Sequence, residues 1–405
     1  MNEVRALVEA FDAATRSGER CALATIVSVE GSSYRRPGAR MLVCEGGAST
    51  GTISAGCLEG DVVEHAGRVM AAGAAKLVEY DTASTGEEMA WGLGLGCNGV
   101  VRVLVEPLAP GSLYVEALRR SCEAQADAAP VSVATVYQHT PRGAARAASR
   151  VKTGARLLIR GDADALREGL SEAAAATLER EVRALLHGGA TPGAHTFDVD
   201  GASVKVFVET LLPPARLVVF GAGQDALPVV ELARDLGWRT EVVDPQCRPA
   251  TLTRFAAADR VTLARPEEVA SRVSIKPRTL TLLMSHNYAH DLALLGFLLA
   301  SPARYIGVMG PRKRTERMLG ELAATEEPLR LEGAGLARLH SPAGLDIGAN
   351  TPAEIALSIV AEMRAVLEGR RGGMLRERRG PIHGSQADGE RAPAAEGQSS
   401  PVAAA

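Results

Sequence analysis

Three short segments of this sequence combine reactive or ligand-binding residue types with a spacing that can bring them to bear on one group. The first is Gly221-Ala222-Gly223-Gln224-Asp225-Ala226. In a G-x-G-x-x-A string the first glycine permits a tight turn and the second lets a phosphate approach the backbone. The small last residue lets a helix pack closely on the preceding strand. The amides and dipole of a helix that begins there favour an anion. Asp244 follows Gly221 at the interval, roughly 20 residues, where an acid can hydrogen-bond a ribose hydroxyl. The second segment is Gly51–Asp61 (GTISAGCLEGD), where helical periodicity starts after Gly56 with Leu58, Val62 and Ala66 in phase. Cys57 therefore falls beside a helix N-terminus, whose dipole favours thiolate. Glu59 and Asp61 suit that dipole but oppose the thiolate, as burial would, so a reactive thiol and a buried structural one both fit. The third segment is Gly31–Arg40 (GSSYRRPGAR). Its Arg35, Arg36 and Arg40, with three hydroxyls, suit an anion-binding loop, although arginines beside Gly and Pro also sit well in water.

Other residues carry weaker signals. Cys97, inside the glycine-rich Gly92–Gly99 (GLGLGCNG), is a second candidate thiol. His286 follows the apolar run Leu280–Met284. If that run is a parallel strand, His286 faces a ligand crevice; otherwise it caps a helix or fills a core. Arg312, with Lys313 and Arg314, follows Tyr305–Met309 and Gly310, where cations can clamp phosphate or simply begin a solvated helix. Thr351-Pro352-Ala353-Glu354 is a capping box with Pro at the first helical position and reads as structural. No convincing general acid–base pair is visible.

The elements that must position these residues follow from periodicity. The first twenty residues form an amphipathic helix (Val4, Leu7, Val8, Phe11), without the basic start and apolar run of a signal peptide. Strands are expected at Ala22–Val29, Ala39–Cys44 and Val100–Glu106, with a helix after Gly56. Between 109 and 212 strands at Val131–Tyr137, Arg156–Ile159 and Ser203–Leu211 alternate with a long helix near 164–187, and no internal repeat stands out. Pro213-Pro214 make a stiff joint. Beyond it Leu217–Phe220 is a short apolar run, as in a strand buried on both faces. The next helix shows Val229, Leu232, Ala233 and Leu236 on one face and stops at Gly237, before a strand at Thr240–Val243. This alternation predicts an α/β chain of three regions, 1–108, 109–212 and a Rossmann-like parallel sheet over 213–376. Residues 377–405, rich in Ala, Gly, Ser, Pro and Gln, read as a disordered tail.

Composition narrows the class. A net charge of −3 with no basic surplus argues against nucleic acid, and no run approaches the ~18 apolar residues of a membrane span. With aromatics at only 3%, the cores must be aliphatic. Six scattered cysteines (21, 44, 57, 97, 122, 247) without a CxxC pair fit a reducing compartment, so a cytoplasmic protein is expected.

Together, Gly31–Arg40, Ile53–Glu59 and Gly92–Gly99 resemble the N-terminal domain of the XdhC/CoxI family. Pro213–Ala226, Val243-Asp244-Pro245 and Leu345–Glu354 resemble its C-terminal Rossmann domain. The resemblance spans roughly 3–110 and 200–383, and it implies one N-terminal α+β domain over 1–212 in which 111–200 is a less well matched insert. Ala55 stands where the family motif has glycine, and Pro311 where a serine usually follows Gly310. Members are accessory proteins for molybdenum hydroxylases such as xanthine dehydrogenase and CO dehydrogenase. The resemblance implies a chaperone, not a turnover enzyme, that binds molybdenum cofactor (molybdopterin), supports its sulfuration with a cysteine desulfurase and delivers it to the hydroxylase apoenzyme. It makes Cys57 the leading contact for molybdenum or a transferable sulfur. The cofactor-binding set expected on both grounds is Cys57, Arg35, Arg36, Arg40, Cys97, Gly221, Gly223, Ala226, Asp244, His286 and Arg312. An NAD(P)-dependent oxidoreductase using the glycine turn, with His286 as acid–base, is the alternative, and a scaffold that binds only partners is a third. Small Rossmann modules often pair, which makes a homodimer the expected assembly.

Overall fold

The computed structural model describes residues 2–81, 99–125, 128–141, 151–161, 163, 165–188, 192–324 and 335–378. Cys97 and the tail from residue 379 lie outside the described residues. In chain order the first unit is α1 (Asn2–Ser17), β1 (Cys21–Gly31), β2 (Arg40–Cys44), β3 (Ser49–Gly51), α2 (Glu59–Ala72), β4 (Lys76–Asp81) and β5 (Gly99–Leu108). It is followed by α3 (Leu113–Glu123), β6 (Val131–Pro141), β7 (Arg156–Arg160), β8 (Leu166–Glu168), α4 (Glu172–His187), β9 (Gly193–Val199) and β10 (Ala202–Leu211). The two units form five-stranded sheets of equivalent order, β3-β2-β1-β5-β4 and β8-β7-β6-β10-β9. The expected lone domain with an insert is therefore a tandem pair of modules, and residues 111–200 belong to the second copy.

The repeat extends to the backbone. Ile26 N–H bonds Ala39 O (3.0 Å), Gly38 N–H bonds Ile26 O (2.8 Å) and Ala39 N–H bonds Arg36 O (3.1 Å). The same triplet joins Val136 to Ala155 (2.8 Å), Gly154 to Val136 (2.8 Å) and Ala155 to Lys152 (3.0 Å). Gly38 (φ 93°) and Gly154 (φ 88°) both take the left-handed conformation this turn needs. Faint sequence traces exist: Gly38-Ala39-Arg40 recurs as Gly154-Ala155-Arg156, and Val105-Glu106 as Val208-Glu209. They are too short to stand out without the fold. The expected helix near 164–187 is also corrected. Gly169 (φ 68°) ends a short strand, and Ser171, whose Oγ accepts the Ala174 N–H at 3.2 Å, caps a helix beginning only at Glu172.

The modules exchange buried ion pairs. Arg40 on β2 pairs with Glu209 on β10, and its counterpart Arg156 on β7 pairs with Glu106 on β5. Tyr114 on α3 lies between them, with the Arg40 and Arg156 guanidinium carbons 5.5 Å and 4.3 Å from its ring centre. Its hydroxyl donates to Glu209 and accepts from Arg40 Nε at 2.8 Å. Around this centre Leu7, Phe11, Leu23, Leu42, Leu118 and Val133 form one apolar core shared by both modules.

The third unit comprises β11 (Arg216–Phe220), α5 (Ala226–Asp235), β12 (Arg239–Asp244), α6 (Ala250–Arg254), β13 (Arg260–Leu263), α7 (Pro266–Arg272), β14 (Thr279–Leu283), α8 (Tyr288–Ala300), β15 (Tyr305–Val308), α9 (Arg312–Ala323), β16 (Leu339–His340) and α10 (Pro352–Leu367). Its sheet is parallel, in order β13-β12-β11-β14-β15-β16, the Rossmann order, with α5 and α10 packed on one face and α8 and α9 on the other. The buried face of α5 is Ala226, Val229, Val230 and Ala233, while Leu236 is exposed. Gly237 (φ 73°) stops the helix as expected. Among the described residues no helix is long and apolar enough to cross a membrane.

Candidate functional site

Strand registers place the N-terminal motifs at one end of the first sheet. β1 ends at Gly31 opposite Gly99, where β5 begins. β4 ends at Asp81 opposite Val100, and β3 ends at Gly51 opposite Met41, beside the start of β2. The arginine turn and the Cys57 loop therefore leave the same end, the one at which β5 begins.

Cys57 is exposed, next to the Leu58 cap of α2, so the buried structural alternative does not hold. Its loop is braced by a residue read from sequence only as a dipole partner. Glu59 Oε1 accepts the Thr52 hydroxyl at 2.6 Å and the Ser54 N–H at 2.8 Å, and Oε2 accepts the Ser54 hydroxyl. Ser54 Oγ in turn accepts the Leu58 N–H at 2.9 Å. Burial pushes the Glu59 carboxyl up, but the Ser54 and Thr52 hydroxyls and the backbone donors outweigh it and hold it at about 2. The loop thus stands on an ionised carboxylate, with Cys57 projecting from it. The sister module provides an internal comparison: only residues 169–171 separate β8 from α4, and none is cysteine. The seven-residue loop 52–58 is a specialisation of the first copy.

The arginines divide. Arg36 is exposed and its guanidinium makes no ion pair among the described residues. Arg35 is committed to Glu3 on α1 through two bonds of 3.0 and 2.6 Å. Arg40 is buried against Glu209, Tyr114 and Gly38 O, which corrects its place in an anion-binding loop: it is a core ion pair between modules.

In the Rossmann unit the glycine turn forms as expected. The amides of Ala222, Gly223, Gln224 and Asp225 make no hydrogen bond within the described residues, so they remain available to an anion. A Cβ on Gly221 (φ 129°) would lie 2.3 Å from Met284 O and 2.8 Å from Ser285 N. Only glycine lets the β11 and β14 loops close on each other. These loops flank the point where strand order reverses, the usual ligand crevice of such sheets. Across it His286 Nε2 lies 2.7 Å from Asp225 Oδ2, an imidazole–carboxylate pair that sequence reading missed because its members are far apart in the chain. His286 is exposed, with a left-handed backbone (φ 57°) uncommon for a non-glycine residue. Asn287 makes the cap of α8, through His290 N–H at 3.1 Å, so His286 is neither cap nor core.

Asp244 departs from its expected use. It is fully buried, and its carboxylate accepts the Gln246 and Arg248 amides (3.0 and 3.1 Å), Arg248 Nε (3.0 Å) and the Thr251 hydroxyl (2.6 Å). Burial raises its pKa, yet these donors outweigh it and lower it overall. It organises its own turn rather than offering itself to a ribose. Arg312 opens α9 and is exposed, whereas Arg314 reaches Asp291 at 2.7 Å. Thr351 and Glu354 form the expected capping box.

The architecture is thus a duplicated α/β module bearing an exposed thiol, joined to a Rossmann domain with an open glycine turn. The chain belongs to the XdhC and CoxI family. That family's model matches residues 14–81, and the XdhC Rossmann domain model matches 217–363. The chain is 31% identical over 356 residues to a Bacillus subtilis protein named as a probable xanthine dehydrogenase subunit, covering 87% of this chain and 95% of that one. It is 30% identical over 244 residues to the uncharacterized Escherichia coli protein YqeB, spanning 56% of this chain and 43% of that one. A crystal structure described as a xanthine dehydrogenase from Bacillus halodurans superposes with a TM-score of 0.68 at 29% identity, covering 90% of this chain and 96% of the other.

Proposed function

We propose that this chain is an accessory protein of a molybdenum hydroxylase, xanthine dehydrogenase by the names its relatives carry, that receives molybdenum cofactor and hands it to the apoenzyme. The observation that carries this reading is the exposed Cys57 on a loop braced by Glu59 and absent from the sister module. Fold maintenance does not call for such a loop, since the second copy closes the same connection in three residues. A thiolate is a soft ligand suited to a thiophilic metal or a transferable sulfur, and exposed Arg36 supplies positive charge at the same end of the sheet for a phosphate-bearing cargo. A cysteine desulfurase as sulfur source, homodimeric assembly and a cytoplasmic location belong to the same proposal.

The experiment is purification of the full chain from a cofactor-producing host, with molybdenum and pterin assayed in the wild type and in Cys57→Ser. The proposal expects bound pterin and molybdenum in the wild type and their loss in the variant. A chain that stays empty when offered cofactor sinks it. The NAD(P) oxidoreductase reading keeps one supporting feature, the Asp225–His286 pair beside the open turn amides. The engagement of Asp244 removes its ribose acceptor. NAD(P) titration of the same preparation separates the two.

A further inference from the structure

At the end of the first sheet away from the Cys57 loop, β1 begins and β2 ends with facing cysteines. Cys21 and Cys44 are register partners in the antiparallel ladder. Next to them Glu45 N–H bonds Arg20 O at 2.9 Å, while Cys44 N–H turns away to Ala48 O at 2.8 Å. Theirs is therefore a non-hydrogen-bonded pair, where Cα atoms sit about 4.5 Å apart, within the span of a disulfide. The two sulfurs are 3.0 Å apart, roughly 1 Å beyond a disulfide bond. Both cysteines are reduced and buried. The equivalent pair in the second module is Val131 and Arg160, so the hairpin itself does not demand sulfur at these positions, and the proposed function makes no use of them.

We infer that Cys21 and Cys44 form a reversible disulfide on exposure to a peroxide, a redox-modification site distinct from Cys57. Cys44, 8% exposed against 2% for Cys21, is the sulfur reached first. Its thiolate attacks one peroxide oxygen, the O–O bond breaks, the departing hydroxide leaves as water, and Cys44 becomes a sulfenic acid. Cys21 Sγ then attacks Cys44 Sγ, the S–O bond breaks, and the hydroxide leaves as water with the Cys21 proton. Two thiols and one hydrogen peroxide become one disulfide and two waters, the peroxide taking both electrons. Burial and the adjacent Cys44 push the Cys21 thiol up to about 12, so Cys21 keeps its proton until it meets the sulfenic acid, and that proton leaves with the hydroxide. The bond ties the hairpin that presents Arg35 and Arg36 without changing its register.

The test oxidises the full-length chain with hydrogen peroxide under native conditions, alkylates remaining thiols after denaturation, and maps peptides by mass spectrometry without reduction. The expected product is a Cys21–Cys44 linked peptide as the main disulfide. It should form equally in Cys57→Ser, vanish on treatment with dithiothreitol, and be missing from Cys44→Ser. Recovery of Cys21 and Cys44 both alkylated in the oxidised wild type overturns the inference, as does their conversion to sulfinic acid without linkage. Because the wild-type map alone decides, a poorly folded Cys44→Ser variant leaves the result intact.

Discussion

At the residue scale, Cys57 and Glu59 divide the labour of one loop. Cys57 is exposed and packs into no core, so Cys57→Ser should abolish cofactor retention while changing unfolding free energy by no more than about 1 kcal/mol. Collapse of the melting transition with cofactor handling intact would reassign Cys57 to structure. Glu59 should behave in the opposite way. Its carboxyl is held at about 2, below its ordinary 4.5, by groups that require its charge. A depressed folded pKa contributes stability that is present above the unfolded value and disappears as pH falls through the folded one. The loop should therefore keep its order down to about pH 4.5 and lose it between there and about 2. Glu59→Gln should reproduce that loss at neutral pH. Hydrogen exchange at the Ser54 and Leu58 amides reads both effects, and unchanged protection in the variant would remove Glu59 from its bracing role.

At the element scale, the β11–α5 turn depends on what glycine omits. Gly221→Ala puts a methyl against Met284 O and Ser285 N in a left-handed backbone, so it should destabilise the Rossmann unit by about 2 kcal/mol or more. Thermal unfolding checks this, and a neutral result would mean that the β14 loop can retreat. The turn, its helix and the Thr351 capping box were legible in the sequence because each depends on residues within a few positions of one another. The Asp225–His286 pair was not, since only the adjacency of β11 and β14 in the sheet brings the two loops together. The α4 boundary was misread for a related reason. An alanine-rich run carries strong helix propensity, but the pairing of β8 with β7 claims Leu166–Glu168 first.

At the scale of the whole molecule, the crossed pairs Arg40–Glu209 and Arg156–Glu106 tie two copies of one module together. Removing one partner strands a buried charge, so Arg40→Met should cost about 3–5 kcal/mol. Replacing both, in Arg40→Met with Glu209→Leu, should recover most of that, since well-packed apolar residues often substitute for a buried pair without loss. Denaturant unfolding of the singles and the double tests this, and additive losses would show that Glu209 serves Tyr114 more than Arg40.

Local spacing and short motifs are enough to specify the Rossmann turn, the aliphatic strands, the helix caps and the family to which the chain belongs. Which charged residues face solvent and which are spent inside depends on contacts that form only in the folded chain. Arg40 and Asp244 carry the same signals in sequence as free binding residues, yet each is consumed by partners that folding brings to it. The duplication was equally hidden. A module's topology is set by its pattern of buried and exposed positions, which many side chains satisfy, so two copies can share every strand while only scattered identities, such as Gly-Ala-Arg and Val-Glu, persist between them.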